Sequence, residues 1–167
     1  SVRYWAIKLL KKFQSQAAVV AGITRLMSSD TSCEVRIAAI ETIVLSERTL
    51  PDVVNRIKDV KPSVRLAAIS RLHDDNVDPR HLSRGLKVTL IQYGLQDRDD
   101  HVQTEAKTLF LKWITVLHYN IPKLLMQLGL DSTEAEQLAK VVLTESDNRT
   151  DVNVDLRRAI REQRLDW

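Results

Sequence analysis

Residues 59–72 read DVKPSVRLAAISRL, and this stretch decides the fold. Val64, Ala67, Ala68 and Leu72 recur at helical spacing, with Ile69 beside them, so the run lays one apolar face along a helix. Pro62 suits the first turn, where its missing N–H leaves no helical hydrogen bond unmade. Asp59 closes the preceding segment, PDVVNRIKD, whose Val53, Val54 and Ile57 form a stripe of their own. The unit is a helix, a tight turn and a second helix.

Working outward, the unit recurs. Residues 30–43 read DTSCEVRIAAIETI, with the same offset from Asp to Val-Arg and the same Ala-Ala-Ile. Residues 97–110 read DRDDHVQTEAKTLF, with Val102 in register and Gln103 in the arginine position. Val2 and Arg3 open the chain as if inside such a helix, and residues 151–160, DVNVDLRRAI, put Leu156 and Arg157 at the matching offset. An irregular period of roughly 30–40 residues with two helices per period marks a helical solenoid. One helix pair cannot bury its own apolar face, so neighbouring pairs must stack. The expected fold class is therefore all-α: a right-handed, curved α-α superhelix (a solenoid) of about four helix pairs, the first incomplete. Its expected divisions are an incomplete first repeat over 1–16, repeats over 17–48, 49–78 and 79–119, and irregular helical repeats over 120–167.

Composition agrees with this. The 167 residues are 44% apolar, enough for one continuous core, and hold only four glycines and four prolines. No stretch approaches the length of a membrane span. No secretory signal is visible, and Ser1 suggests a piece cut from a longer protein. The single Cys33 excludes an internal disulfide and has no companions for a metal cluster. The formal charge of +3 is mild and permits nucleic-acid contact without demanding it.

Local signals divide the chain further. Residues 2–13 read as a helix with Val2, Trp5, Ala6, Leu9, Leu10 and Phe13 on its core side. Residues 17–27 and 33–44 form the next pair, with Ser28, Ser29 and Asp30 as the turn. Thr49 is a candidate cap for the helix that Pro51 opens, and Asp78 for one begun by Pro79. Residues 80–95 read as one longer helix with Gly94 as its terminator. Residues 102–117 follow, with Val102, Ala106, Leu109, Phe110 and Trp113 inward. Beyond lie short helices over 121–128, 133–143 and 155–164.

Asp30, Asp59 and Asp97 fall at the turns, where a carboxylate accepts amide hydrogens at the start of the next helix. Arg36 and Arg65 lie in the first turns of those helices, placed to reach the aspartate of an adjacent repeat. The five residues are expected to form a structural ladder, with Gln103 keeping a hydrogen bond but no charge. A phosphate track is the weaker reading of the same arginines. Lys8, Lys11, Lys12, Arg80, Arg84 and Lys87 are the better candidates for contacts to DNA phosphates. Arg157, Arg158, Arg161 and Arg164 come next. Such contacts position a duplex without reading its bases. The basic residues have little aromatic interleaving, which disfavours single-strand stacking. His73, His81, His101 and His118 lack ligand spacing, His73 falling in a solvated loop, and no nucleotide fingerprint occurs. Neither catalysis nor a cofactor is expected.

Asp followed by Val-Arg within a two-helix repeat resembles HEAT repeats. A longer match is more specific. Residues 49–72, TLPDVVNRIKDVKPSVRLAAISRL, resemble the repeat core of the HEAT-repeat subunit of condensin, the CAP-G family. Thr49-Leu50-Pro51 and Arg56-Ile57-Lys58-Asp59-Val60 fit its pattern, with Lys58 in place of an arginine. Gly94-Leu95, Asp97-Arg98-Asp99, Val102 and Trp113 follow in the family's order, and Asp30 with Val35-Arg36 fits the preceding repeat. The match covers residues 30–113; Gln103 departs from the usual arginine, and residues after Asn120 do not match.

The resemblance implies a non-catalytic subunit that serves mitotic chromosome condensation. It would bind the kleisin chain along a groove, meet the SMC ATPase subunits through the complex, and help hold double-stranded DNA without sequence preference. It implies a nuclear and chromosomal location with a cytoplasmic pool, and no membrane partner. The second reading is a protein-only HEAT scaffold in transport or signalling.

Overall fold

The computed structural model describes residues 2–116 together with Lys140 and Thr144. The described residues form α1 (Val2–Leu10), α2 (Ala17–Ser29), α3 (Cys33–Thr42), α4 (Leu50–Asn55), α5 (Pro62–Asp74), α6 (Arg84–Gly94) and α7 (Asp100–Val116). Single 3-10 turns follow α1 and α4, at Lys11–Phe13 and Arg56–Lys58, and another precedes α6 at Pro79–His81. No strand occurs among the described residues.

Helices α1, α3, α5 and α7 pack side by side in chain order as one layer. Helix α2 packs on α3, α4 on α5 and α6 on α7, so each even-numbered helix covers its own partner. This is an all-α helical-repeat solenoid. The recurring apolar positions explain it: Val35, Ala38, Ala39 and Ile40 on α3 are buried, as are Val64, Ala68, Ile69 and Leu72 on α5. On α7 the buried set is Val102, Ala106, Leu109, Phe110, Trp113 and Ile114. These residues join one continuous apolar core. Trp113 meets Phe110 edge to face, with ring centroids 5.1 Å apart, and its indole N–H donates to the Val77 carbonyl at 2.9 Å.

Several expectations are corrected. Helix α1 ends at Leu10, and Ile7 is its buried residue. Val2, Trp5, Leu9 and Phe13 are exposed, Val2 by 87% and Trp5 by 67%. The helix has two apolar sides, and the sequence pattern picked the one that no described element covers. Residues 80–95 are not one helix. The Ser83 hydroxyl accepts the Leu86 N–H and starts α6 afresh, after Asp78 has capped the 3-10 turn at the Arg80 N–H. Thr49 does not cap α4 through its side chain; its hydroxyl donates to the Val44 carbonyl at 2.7 Å and accepts from the Ser46 N–H, tying the loop together.

Gly94 ends α6 without a left-handed residue. A β-carbon there would lie 3.1 Å from Ala106 Cβ, so its role is the close approach of α6 to α7. His73 lies within α5, its Nδ1 2.8 Å from a carboxylate oxygen of Glu105, and is not in a solvated loop. The helices expected over 121–128, 133–143 and 155–164 lie outside the described residues apart from Lys140, as do Arg157, Arg158, Arg161 and Arg164.

Candidate partner and nucleic-acid interface

The turns between paired helices share one construction. Each aspartate carboxylate accepts the N–H two residues on: Asp30 from Ser32, Asp59 from Lys61 and Asp97 from Asp99. These short Asx turns fix the approach to α3, α5 and α7. An arginine from the preceding layer helix then clamps each carboxylate. Arg36 donates to Asp59 from Nε and Nη2 at 2.9 and 2.8 Å. Arg65 donates to Asp97 in the same fork at 2.6 and 2.7 Å. Both arginines also turn Nη1 back onto their own turn, to the carbonyls of Asp30 and Asp59 respectively. One guanidinium therefore holds its own repeat and the next together.

Burial and charge act against each other at these carboxylates. The Asp59 and Asp97 side chains are 5% exposed. Burial disfavours their charge, but the hydrogen bonds from Arg36 and Lys61, and from Arg65 and Asp99, outweigh it, holding both carboxyls below the usual range. The hydrogen bonds to Asp97 raise Arg65, so it stays charged.

The row begins one step earlier than the sequence reading placed it. Arg3 bonds Asp30 at 2.9 Å through Nε, although its side chain is 56% exposed. Its place before Val35-Arg36 by about one repeat was the available signal. At the far end, Gln103 donates to the Leu95 carbonyl at 3.0 Å. A second set of braces joins the same layer: Lys8 to Glu41 at 2.6 Å, Arg71 to the carbonyls of Glu41 and Ile43, His73 to Glu105, and Lys112 to the His73 carbonyl.

The phosphate-contact candidates separate. Lys11 and Lys12 are exposed on the 3-10 turn after α1, with no ion pair among the described residues. Lys8 is engaged with Glu41. Arg80 is forked onto Asp78. Arg84 is exposed at the start of α6. Lys87 is corrected: only 6% of it meets solvent, and burial lowers its pKa, so it is not on the outer face that the helical spacing suggested. Lys87 stands three, four and seven residues before the buried Leu90, Ile91 and Gly94, so it falls on the buried stripe of α6.

The turn edge holds further exposed cations. Lys58, Lys61 and Arg98 are exposed; Asp59 and Asp97 beside them are occupied in the ladder, and Asp99, also next to Arg98, accepts the His101 and Val102 N–H groups at the start of α7. Lys58 Nζ sits 4.8 Å from the centre of the Tyr93 ring. Lys58, Tyr93 and Arg98 share the wall of a shallow hollow of about 380 Å³ beside that edge. Among the described residues no cluster of His, Cys, Asp or Glu is arranged to hold a metal ion.

This architecture defines a HEAT-type solenoid segment, with repeats linked by arginine–aspartate forks. No family model matches the chain. Condensin complex subunit 3 of Homo sapiens is 36% identical over 138 residues, covering 80% of this chain and 14% of the relative. The subunit 3 proteins of Xenopus laevis and Schizosaccharomyces pombe are 30% and 32% identical, covering 83% and 64% of this chain. The chain belongs to the condensin complex subunit 3 family, and it spans 12–14% of the length of these relatives.

Proposed function

We propose that this chain is a binding segment, without catalysis, of a condensin subunit that serves mitotic chromosome condensation in the nucleus and on chromosomes, with a cytoplasmic pool. Its partners are the kleisin chain and double-stranded DNA, with the SMC ATPase subunits reached through the complex. The family match supports the assembly. The observation that supports duplex contact is the charge at the turn edge. The ladder occupies Asp59 and Asp97 with arginines, which leaves Lys58, Lys61 and Arg98 facing solvent. Lys11 and Lys12 add a second exposed pair.

Such contacts are to phosphates, so affinity falls with salt and is indifferent to base sequence. Fluorescence anisotropy with two unrelated duplexes tests this at ~50 and ~200 mM salt. The wild type should bind both alike and lose affinity steeply. Neutralising Lys11, Lys12, Lys58, Lys61 and Arg98 together should flatten the salt dependence. A strong preference for one duplex, or binding that survives neutralisation, would refute the phosphate model.

A further inference from the structure

The even-numbered layer has a gap. Helix α4 packs on α6, and a cleft of about 640 Å³ lies between α2 and the start of α4. That volume lies in the range of ordinary ligand sites. Val20 and Ala21 of α2 and Val44 of the loop after α3 give it apolar walls, and Val44 is 54% exposed. Arg25 comes from α2 and Arg48 from the loop before α4. Both are exposed, and neither has an ion-pair or hydrogen-bond partner for its guanidinium among the described residues. Asp52, in the first turn of α4, is the one acid on the walls. The ends of the cleft are tied: Gln14 donates to the Thr42 carbonyl and accepts from the Val44 N–H, and Arg56 donates to the Ser28 carbonyl. The cleft is thus held open between two fixed ends.

We infer that this cleft docks an extended acidic segment of a partner protein, its carboxylates on Arg25 and Arg48 and its aliphatic side chains against Val20, Ala21 and Val44. Charge decides the occupant: two unpaired arginines on opposite walls against a single acid favour an anionic chain. The apolar surface between them favours a peptide over a bare phosphate backbone. Length fits as well. The part of α2 that lines the cleft rises roughly 16 Å at ~1.5 Å per residue, which matches about five residues of extended chain. Alternating side chains of such a chain point to opposite sides, so acidic and aliphatic residues in alternation suit an apolar wall with charged lips. Asp52 repels an acid placed at the start of α4 and so sets the register. This docking site is independent of the kleisin and duplex readings, and its failure would leave them standing.

The test uses the full chain and a fluorescein-labelled peptide of about ten residues alternating Glu and Val, long enough to overfill the cleft. A peptide alternating Lys and Val serves as control. The acidic peptide should bind and the basic one should not. Arg25→Glu and Arg48→Glu should each weaken binding by about tenfold or more. Ala21→Trp, at an exposed position, should block the cleft and abolish binding with the melting temperature unchanged. Asp52→Ala should tighten it. Equal binding of both peptides, or acidic-peptide affinity unmoved by Ala21→Trp and by both charge reversals, would overturn the inference. So would a DNA duplex that displaces the peptide and is weakened equally by the two reversals, since the cleft would then be a phosphate surface.

Discussion

Replacing Asp59 by alanine removes more than one contact. The carboxylate accepts two bonds from Arg36 at 2.8–2.9 Å and one from the Lys61 N–H at 3.0 Å. Hydrogen bonds to a charged group each contribute about 1.5–3 kcal/mol, and stranding one member of a buried pair costs about 3–5 kcal/mol. The substitution does not strand Arg36 completely, because Nη1 keeps the Asp30 carbonyl at 2.8 Å and the shortened side chain admits water. A loss of about 2–4 kcal/mol is therefore expected, equivalent to a fall of order 10 °C in melting temperature for a chain of this size. Urea denaturation followed by circular dichroism measures it for Asp59→Ala, Arg36→Ala and the double variant. The coupling energy should be about 2 kcal/mol, since each single change breaks the same fork. Losses below about 0.5 kcal/mol in both single variants, with no coupling, would refute the reasoning.

Other expectations follow from the same contacts. Asp59 and Asp97 have depressed carboxyl pKa values, so their contribution to stability is complete above the unfolded carboxylate value near ~3.9 and is lost as pH falls through the lower folded values; denaturation between pH ~2 and ~5 should show this loss, reduced in Asp97→Asn. Gly94→Ala gains about 1 kcal/mol of helix propensity but forces a β-carbon to 3.1 Å from Ala106, so a net loss of about 1 kcal/mol is expected by thermal melting. Gly22→Ala, in α2 with open space around it, should instead stabilise by about 0.5–1 kcal/mol in the same assay. Trp113→Phe leaves the Val77 carbonyl without its indole donor and should cost about 1 kcal/mol in urea denaturation.

The repeat architecture was legible because its signals are local. Apolar spacing on α3, α5 and α7 names the core directly, and the recurring Asp with Val-Arg marks each turn. The forks could be anticipated because repetition brings an arginine of one repeat near the aspartate of the next. Their direction, from a layer helix forward to the following turn, needs the three-dimensional stacking. Helix α1 misled because both of its sides are apolar, and periodicity alone does not say which one a neighbour covers. Lys87 misled because its charge suggested an outer face, whereas its spacing to Leu90, Ile91 and Gly94 puts it on the buried stripe of α6. The cleft between α2 and α4 was illegible for a different reason: its arginines belong to separate elements, and only the spacing of those elements joins them.

Partner recovery tests the functional account most directly. The tagged chain should be incubated with mitotic extract, washed in moderate salt, and its bound proteins identified by mass spectrometry. Recovery of the kleisin chain, with the SMC ATPase subunits joined through it, is the predicted result. Recovery of transport cargo or a phosphatase core, with kleisin absent, would contradict the account and identify the solenoid as a protein-only scaffold.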